Sequence, residues 1–163
     1  MARALLVACG CRGRELGRAL RADGWEVRGT TRRAGRVGDI EGEGIEAVVA
    51  DPDRVGTVLE HVGDVTVVAW LLGSAEGDAE AIDAIHGPRL ERMLEELVDT
   101  PVRGFLYEGE GTVPANRLRK GVELVRDARE RWSIPVGILE HDPSDWRGWV
   151  DAARGAIRTI TGA

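Results

Sequence analysis

The chain has 163 residues, 43% of them hydrophobic and 31% charged, a composition within the range of folded soluble domains and long enough for a single core over residues 1–163. Its net charge of −6 argues against general affinity for nucleic acid or for an anionic membrane, since both depend on a surplus of Lys and Arg. No apolar run approaches the ~20 residues a membrane helix needs, and the short apolar start at 4–9 runs into Arg12 and Arg14.

Runs rich in Leu and β-branched residues recur at 4–9, 25–30, 45–50, 65–72, 102–107 and 134–139. They are mostly continuous rather than alternating, which marks strands buried on both faces. Helical spacing fills the gaps, at Leu16, Ala19 and Leu20, at Val55, Val58, Leu59 and Val62, at Leu90, Met93, Leu94 and Leu97, and at Leu118, Val122 and Val125. Six strands alternating with crossover helices predict a doubly wound parallel α/β sheet of order 3-2-1-4-5-6. The weakest helix is 33–44, where Gly35, Gly38, Gly42 and Gly44 predict a short or frayed turn. Asp51-Pro52 and Asp142-Pro143 read as caps with a proline at the first helical position. The stripe Trp146, Trp149, Val150, Ala153, Ile157 and Ile160 predicts a closing helix. Cys9 and Cys11 suit neither a disulfide framework nor a zinc knuckle, so a reducing cytoplasm is expected.

The first strand leads into Gly10-Cys11-Arg12-Gly13 and then a helix. A strand, a glycine-rich turn and a helix N-terminus gather free backbone N–H groups at the positive end of a helix dipole, which suits a pyrophosphate. The G-x-G-x-x-G pattern falls on Ala8, Gly10 and Gly13, with Ala in place of the first glycine, a cost only if that position needs φ > 0. The second strand ends in Thr31-Arg32-Arg33 with no acid for a ribose 2′-hydroxyl. Thr31, Arg32 and Arg33 instead match a 2′-phosphate, so NADP is expected ahead of NAD. A solvated basic turn is the alternative.

The runs Gly13-Arg14-Glu15-Leu16-Gly17 and Gly24-Trp25-Glu26-Val27-Arg28-Gly29-Thr30-Thr31-Arg32 resemble the start of atypical, epimerase-like short-chain dehydrogenases/reductases. The resemblance covers the chain loosely and is specific over its first third. It implies an NAD(P)-binding Rossmann fold, with Asp51 contacting adenine and 134–139 as the sixth strand. It also implies a Tyr-x-x-x-Lys pair on the helix after strand five, with the Tyr as acid/base. Lys120 fits that pattern but Asn116 stands at the Tyr position, and an amide cannot exchange a proton near neutral pH. The family's serine near the end of strand five is also missing from 107–112. The family's substrate-binding extension is expected to be absent as well, since 24 residues follow Leu139.

Tyr107, Glu108 and Thr112 are the substitutes at the sheet's C-terminal edge, and Tyr107 is otherwise a packed strand-end ring with a wet hydroxyl. Trp70 is expected beside the nicotinamide or under the next loop. Cys11 and Arg12 would flank the phosphates, Cys9 and Cys11 reading as small-residue packing or as a redox-sensitive thiol. Glu140-His141-Asp142 reads as a polar loop rather than a metal site, and His61 and His86 as helix-end residues. Two functions follow: an NADP(H)-dependent oxidoreductase or epimerase-like protein acting on an unknown small molecule, and a non-catalytic dinucleotide sensor or protein-interaction module. A homodimer would use the apolar faces 90–97 and 118–125.

Overall fold

In the computed structural model, which describes residues 2–162, six parallel strands form one sheet in the order β3-β2-β1-β4-β5-β6. They are β1 (Arg3–Val7), β2 (Glu26–Thr31), β3 (Glu46–Val49), β4 (Val67–Trp70), β5 (Gly104–Glu108) and β6 (Val136–Leu139). The helices are α1 (Cys11–Ala22), α2 (Val37–Glu41), α3 (Val55–Leu59), α4 (Ala79–Ile85), α5 (Pro88–Leu97), α6 (Ala115–Trp132) and α7 (Trp146–Thr161). This is the predicted doubly wound α/β architecture. The order reverses between β1 and β4, whose registers pair Leu5 with Val68 and Val7 with Trp70, and ligands of open α/β sheets bind at that reversal.

Strand alternation divides the apolar residues between two cores. Leu5, Val7, Val68, Trp70, Phe105 and Tyr107 face α3, α4, α5 and α6. Ala4, Leu6, Val67, Ala69 and Leu106 face α1, α2 and α7. Leu90, Met93, Leu94 and Leu97 of α5 and Leu118, Val122 and Val125 of α6 all join the first core. The faces expected to offer a dimer contact are thus covered within one chain. No helix among the described residues is long and apolar enough to cross a membrane.

The glycine-rich 33–44 segment is short, as expected: a 3-10 turn (Ala34–Arg36) followed by the five residues of α2. Other local expectations need correction. Asp51 and Asp142 cap no helix: each accepts a backbone N–H two residues on, from Asp53 and Ser144, because a short Asp side chain closes a local turn before the helix begins. The cap of α7 is Asp145, which accepts from Gly148. Trp146 lies off the buried stripe at 45% exposure, whereas Trp149, Val150, Ala153 and Ile157 are buried.

Candidate functional site

A cleft of about 560 Å³ opens at the C-terminal ends of β1, β2, β3 and β4. Its floor is the turn from β1 into α1. There Ala8 has φ +69, so the conformation that a glycine adopts freely is held by an alanine, at about 1–2 kcal/mol. Two contacts hold it: Ala8 N–H donates to Thr30 Oγ1 at 2.9 Å, and Gly10 N–H donates to the Ala8 carbonyl at 3.0 Å.

Gly10 is the N-cap of α1, with no side-chain cap and no acidic residue in the first turn. The opening N–H groups of α1 therefore keep their capacity for an anion. A Cβ built on Gly10 would meet nothing within 4 Å, so at this position the backbone stands open to the cleft. Gly13, by contrast, is buried, with a Cβ position 3.4 Å from the Ala8 carbonyl and 3.5 Å from Cys9 Sγ. It shapes the turn and does not line the cleft.

Five arginines line the cleft: Arg12 and Arg14 from α1, and Arg32, Arg33 and Arg36 from the segment after β2. Arg36 pairs with Asp39 at 3.5 Å and Arg12 lies 4.0 Å from Glu108. Among the described residues, Arg14, Arg32 and Arg33 have no ion-pair partner. Thr31 organises the turn, its Oγ1 accepting from Arg33 N–H at 3.2 Å. Three acids, Asp51, Asp53 and Glu76, complete the polar lining, and Asp53 pairs with Arg89. A chain of negative net charge thus places three unpaired cations at this cleft. Ala50, Ile82 and Ile85 supply an apolar wall, the chemistry that a base ring needs.

Of the residues expected to hold a cofactor, Ala8, Gly10, Cys11 and Arg12 meet Thr31, Arg32, Arg33 and Asp51 around this one cleft. Trp70 does not join them. It is fully buried, and its indole N–H donates to the Ile85 carbonyl at 3.1 Å. Tyr107 and Lys120 also lie elsewhere. Tyr107 is fully buried in the first core, its hydroxyl 2.6 Å from His86 Nδ1 rather than wet. His86 Nε2 lies 2.8 Å from the Leu72 carbonyl. That carbonyl requires a proton on Nε2, so Nδ1 accepts from the tyrosine. Burial lowers the His86 pKa and raises that of Tyr107, so each is held neutral. A Cβ on Gly121 would collide with the Tyr107 hydroxyl, and it is this glycine that lets α6 lie against the ring. Asn116 and Lys120 are exposed on α6.

Glu108 carries the least legible part of the site. It is 1% exposed, with Oε1 accepting from Gly73 N–H and Oε2 from the Trp149 indole N–H, both at 2.8 Å. Burial pushes its carboxyl above the ordinary carboxylate range, against the opposing pull of the Gly73 N–H, Arg12 and the Trp149 indole. Arg12 lies over the Trp149 ring at 5.6 Å, and its buried Nε has no partner among the described residues. The acid, the tryptophan and Arg12 form one cluster across α1, β5 and α7. Its one sequence signal is an acid ending an apolar strand.

The sequence matches no family model and no curated protein. Solved structures supply the likeness. A short-chain dehydrogenase/reductase superfamily protein from Agrobacterium tumefaciens, solved with bound NAD, superposes with a TM-score of 0.67 at 22% identity. The chain has a Rossmann-like α/β fold. This fold is shared with a UDP-glucuronic acid 4-epimerase from Bacillus cereus in complex with NAD (16% identity, 87% of this chain, TM-score 0.62). It is shared too with the E. coli protein BdcA (15% identity, TM-score 0.77), which matches 94% of this chain over 89% of its own. The Agrobacterium protein matches 85% of this chain, which spans 48% of that protein's length and 59% of the epimerase's.

Proposed function

We propose that the protein binds a nicotinamide adenine dinucleotide and prefers the 2′-phosphorylated form. The observation that carries this reading is the cleft itself, where the uncapped start of α1 faces three unpaired arginines beside an apolar wall. The solved proteins of the same fold that hold NAD support the ligand class. In this reading the opening amides of α1 hold the pyrophosphate, Thr31, Arg32 and Arg33 hold the 2′-phosphate, and Asp51 contacts the adenine.

A bound nicotinamide supplies a hydride donor or acceptor. Of this chain's own groups, neither Tyr107 nor Lys120 lines the cleft, and Asn116 replaces the expected acid/base. These placements favour a dinucleotide sensor or interaction module over a reductase.

The test is calorimetric titration of the protein with NADPH and NADH, repeated on the Arg32→Ala/Arg33→Ala double variant. Losing charge-assisted contacts to the 2′-phosphate should weaken NADPH binding about 10- to 100-fold and leave NADH within about threefold. Equal losses for both ligands would end the NADP assignment. Turnover of carbonyl substrates by the unmodified protein would end the sensor reading.

A further inference from the structure

The cleft runs along the sheet's C-terminal edge from β3 across the reversal to the end of β4, and stops there. Every residue lining it lies between Ala8 and Ile85, and none comes from β5, α6, β6 or α7. Beyond β4 the edge is covered by two loops bound to each other. Gly73 N–H donates to Glu108 Oε1, Val113 N–H donates to the Gly73 carbonyl at 3.0 Å, and Thr112 N–H donates to Ser74 Oγ at 3.2 Å. The contact is tight enough that a Cβ on Gly73 would collide with the Glu110 carbonyl, and one on Gly111 with the Gly73 backbone. Glu108 anchors this closure from within, since its second oxygen is held by Trp149 of α7.

A dinucleotide crossing the sheet edge needs both halves of it, one on each side of the reversal between β1 and β4. Here the cleft crosses the reversal only as far as Leu71, Leu72 and Ser74 past β4, and beyond them the polar groups around β5 are engaged with one another. We infer that the cleft recognises the adenosine half of the dinucleotide, with its ribose phosphate and pyrophosphate, and leaves the nicotinamide half in solvent. This inference rests on the proposed dinucleotide site and narrows its ligand class to adenosine phosphates carrying a second phosphate on the ribose. It assigns the closure around Glu108 as the boundary of the site.

The experiment compares NADP+, adenosine 2′,5′-bisphosphate and nicotinamide mononucleotide by calorimetry, with proton saturation-transfer NMR on the NADP+ complex. The bisphosphate should bind within about fivefold of NADP+, a difference under about 1 kcal/mol. Nicotinamide mononucleotide should not compete, and saturation should reach the adenine protons but not those of the nicotinamide ring. NADP+ binding more than about 50-fold tighter than the bisphosphate, or saturation of the nicotinamide protons, would overturn the inference while the dinucleotide site stands. Absence of binding by both NADP+ and the bisphosphate would overturn the site and the inference together.

Discussion

The two halves of one sheet edge handle their polar groups in opposite ways. Over β1, β2 and β3 the backbone and side chains keep unused capacity, in the uncapped start of α1 and in Arg14, Arg32 and Arg33. Around β5 the capacity is turned inward, with Glu108 satisfied by Gly73 and Trp149, and Tyr107 by His86. A ligand must repay desolvation with contacts, which only the first half can provide without breaking existing bonds. The second half exchanges binding capacity for rigidity.

The contrast predicts that changes in the closed half alter stability and spare nucleotide affinity. The largest effect is expected from Gly73→Ala, whose methyl must displace the Glu110 carbonyl. It should cost about 2–3 kcal/mol, read by urea denaturation, and expose 71–78 and 108–114 to limited proteolysis. Unchanged stability would show that the two loops are not held together. Next is Tyr107→Phe, which leaves the buried His86 Nδ1 without a donor. A loss of about 1–3 kcal/mol is expected, with NADPH affinity within about twofold. A larger change in affinity would place the tyrosine in the site after all.

The pH dependence sharpens the same comparison. The Glu108 carboxyl is raised by burial, so as pH rises through the ordinary carboxylate range the unfolded chain loses its proton first. Its stabilising contribution is complete below the unfolded value and is lost as pH rises through the folded one. His86 has the opposite sign. Its pKa is lowered by burial from 6.5, so its contribution is present above that value and is lost as pH falls toward the folded pKa. Measured against Glu108→Gln, the unfolding free energy of the natural protein should decline with rising pH. Parallel profiles would mean that the acid is not perturbed. The smallest effect is expected in the open half: Ala8→Gly relieves the strained φ at some cost in unfolded-state entropy, for a net gain of at most about 1 kcal/mol. Thermal melts check it, and a loss of stability would mean that the alanine methyl packs favourably.

The strands were legible because double burial leaves continuous apolar runs, and the cationic part of the cleft because most of it sits in two short segments, 8–14 and 31–33, at the ends of β1 and β2. The closed half was not. Glu108 bonds to Gly73 and Trp149, 35 and 41 residues away, and no local pattern encodes such a meeting. His86 is a helix-end residue as its place before Gly87-Pro88 suggests, but its pairing with Tyr107 depends on how α4 sits against β5. The strain at Ala8 was foreseen only as a condition, since a sequence shows an alanine but not its φ.

The two cysteines give the cleft a chemical address. Cys9 is buried and its thiol is pushed up to about 12 by burial, while Cys11 is exposed at the first turn of α1 and lines the cleft. A thiol-selective alkylating reagent should therefore count one group on the folded chain and two on the unfolded one. The single reactive sulfur stands beside Gly10, where a phosphate would sit. It offers a position for attaching a fluorophore at the mouth of the site without altering the sequence, and a bound nucleotide should slow that attachment.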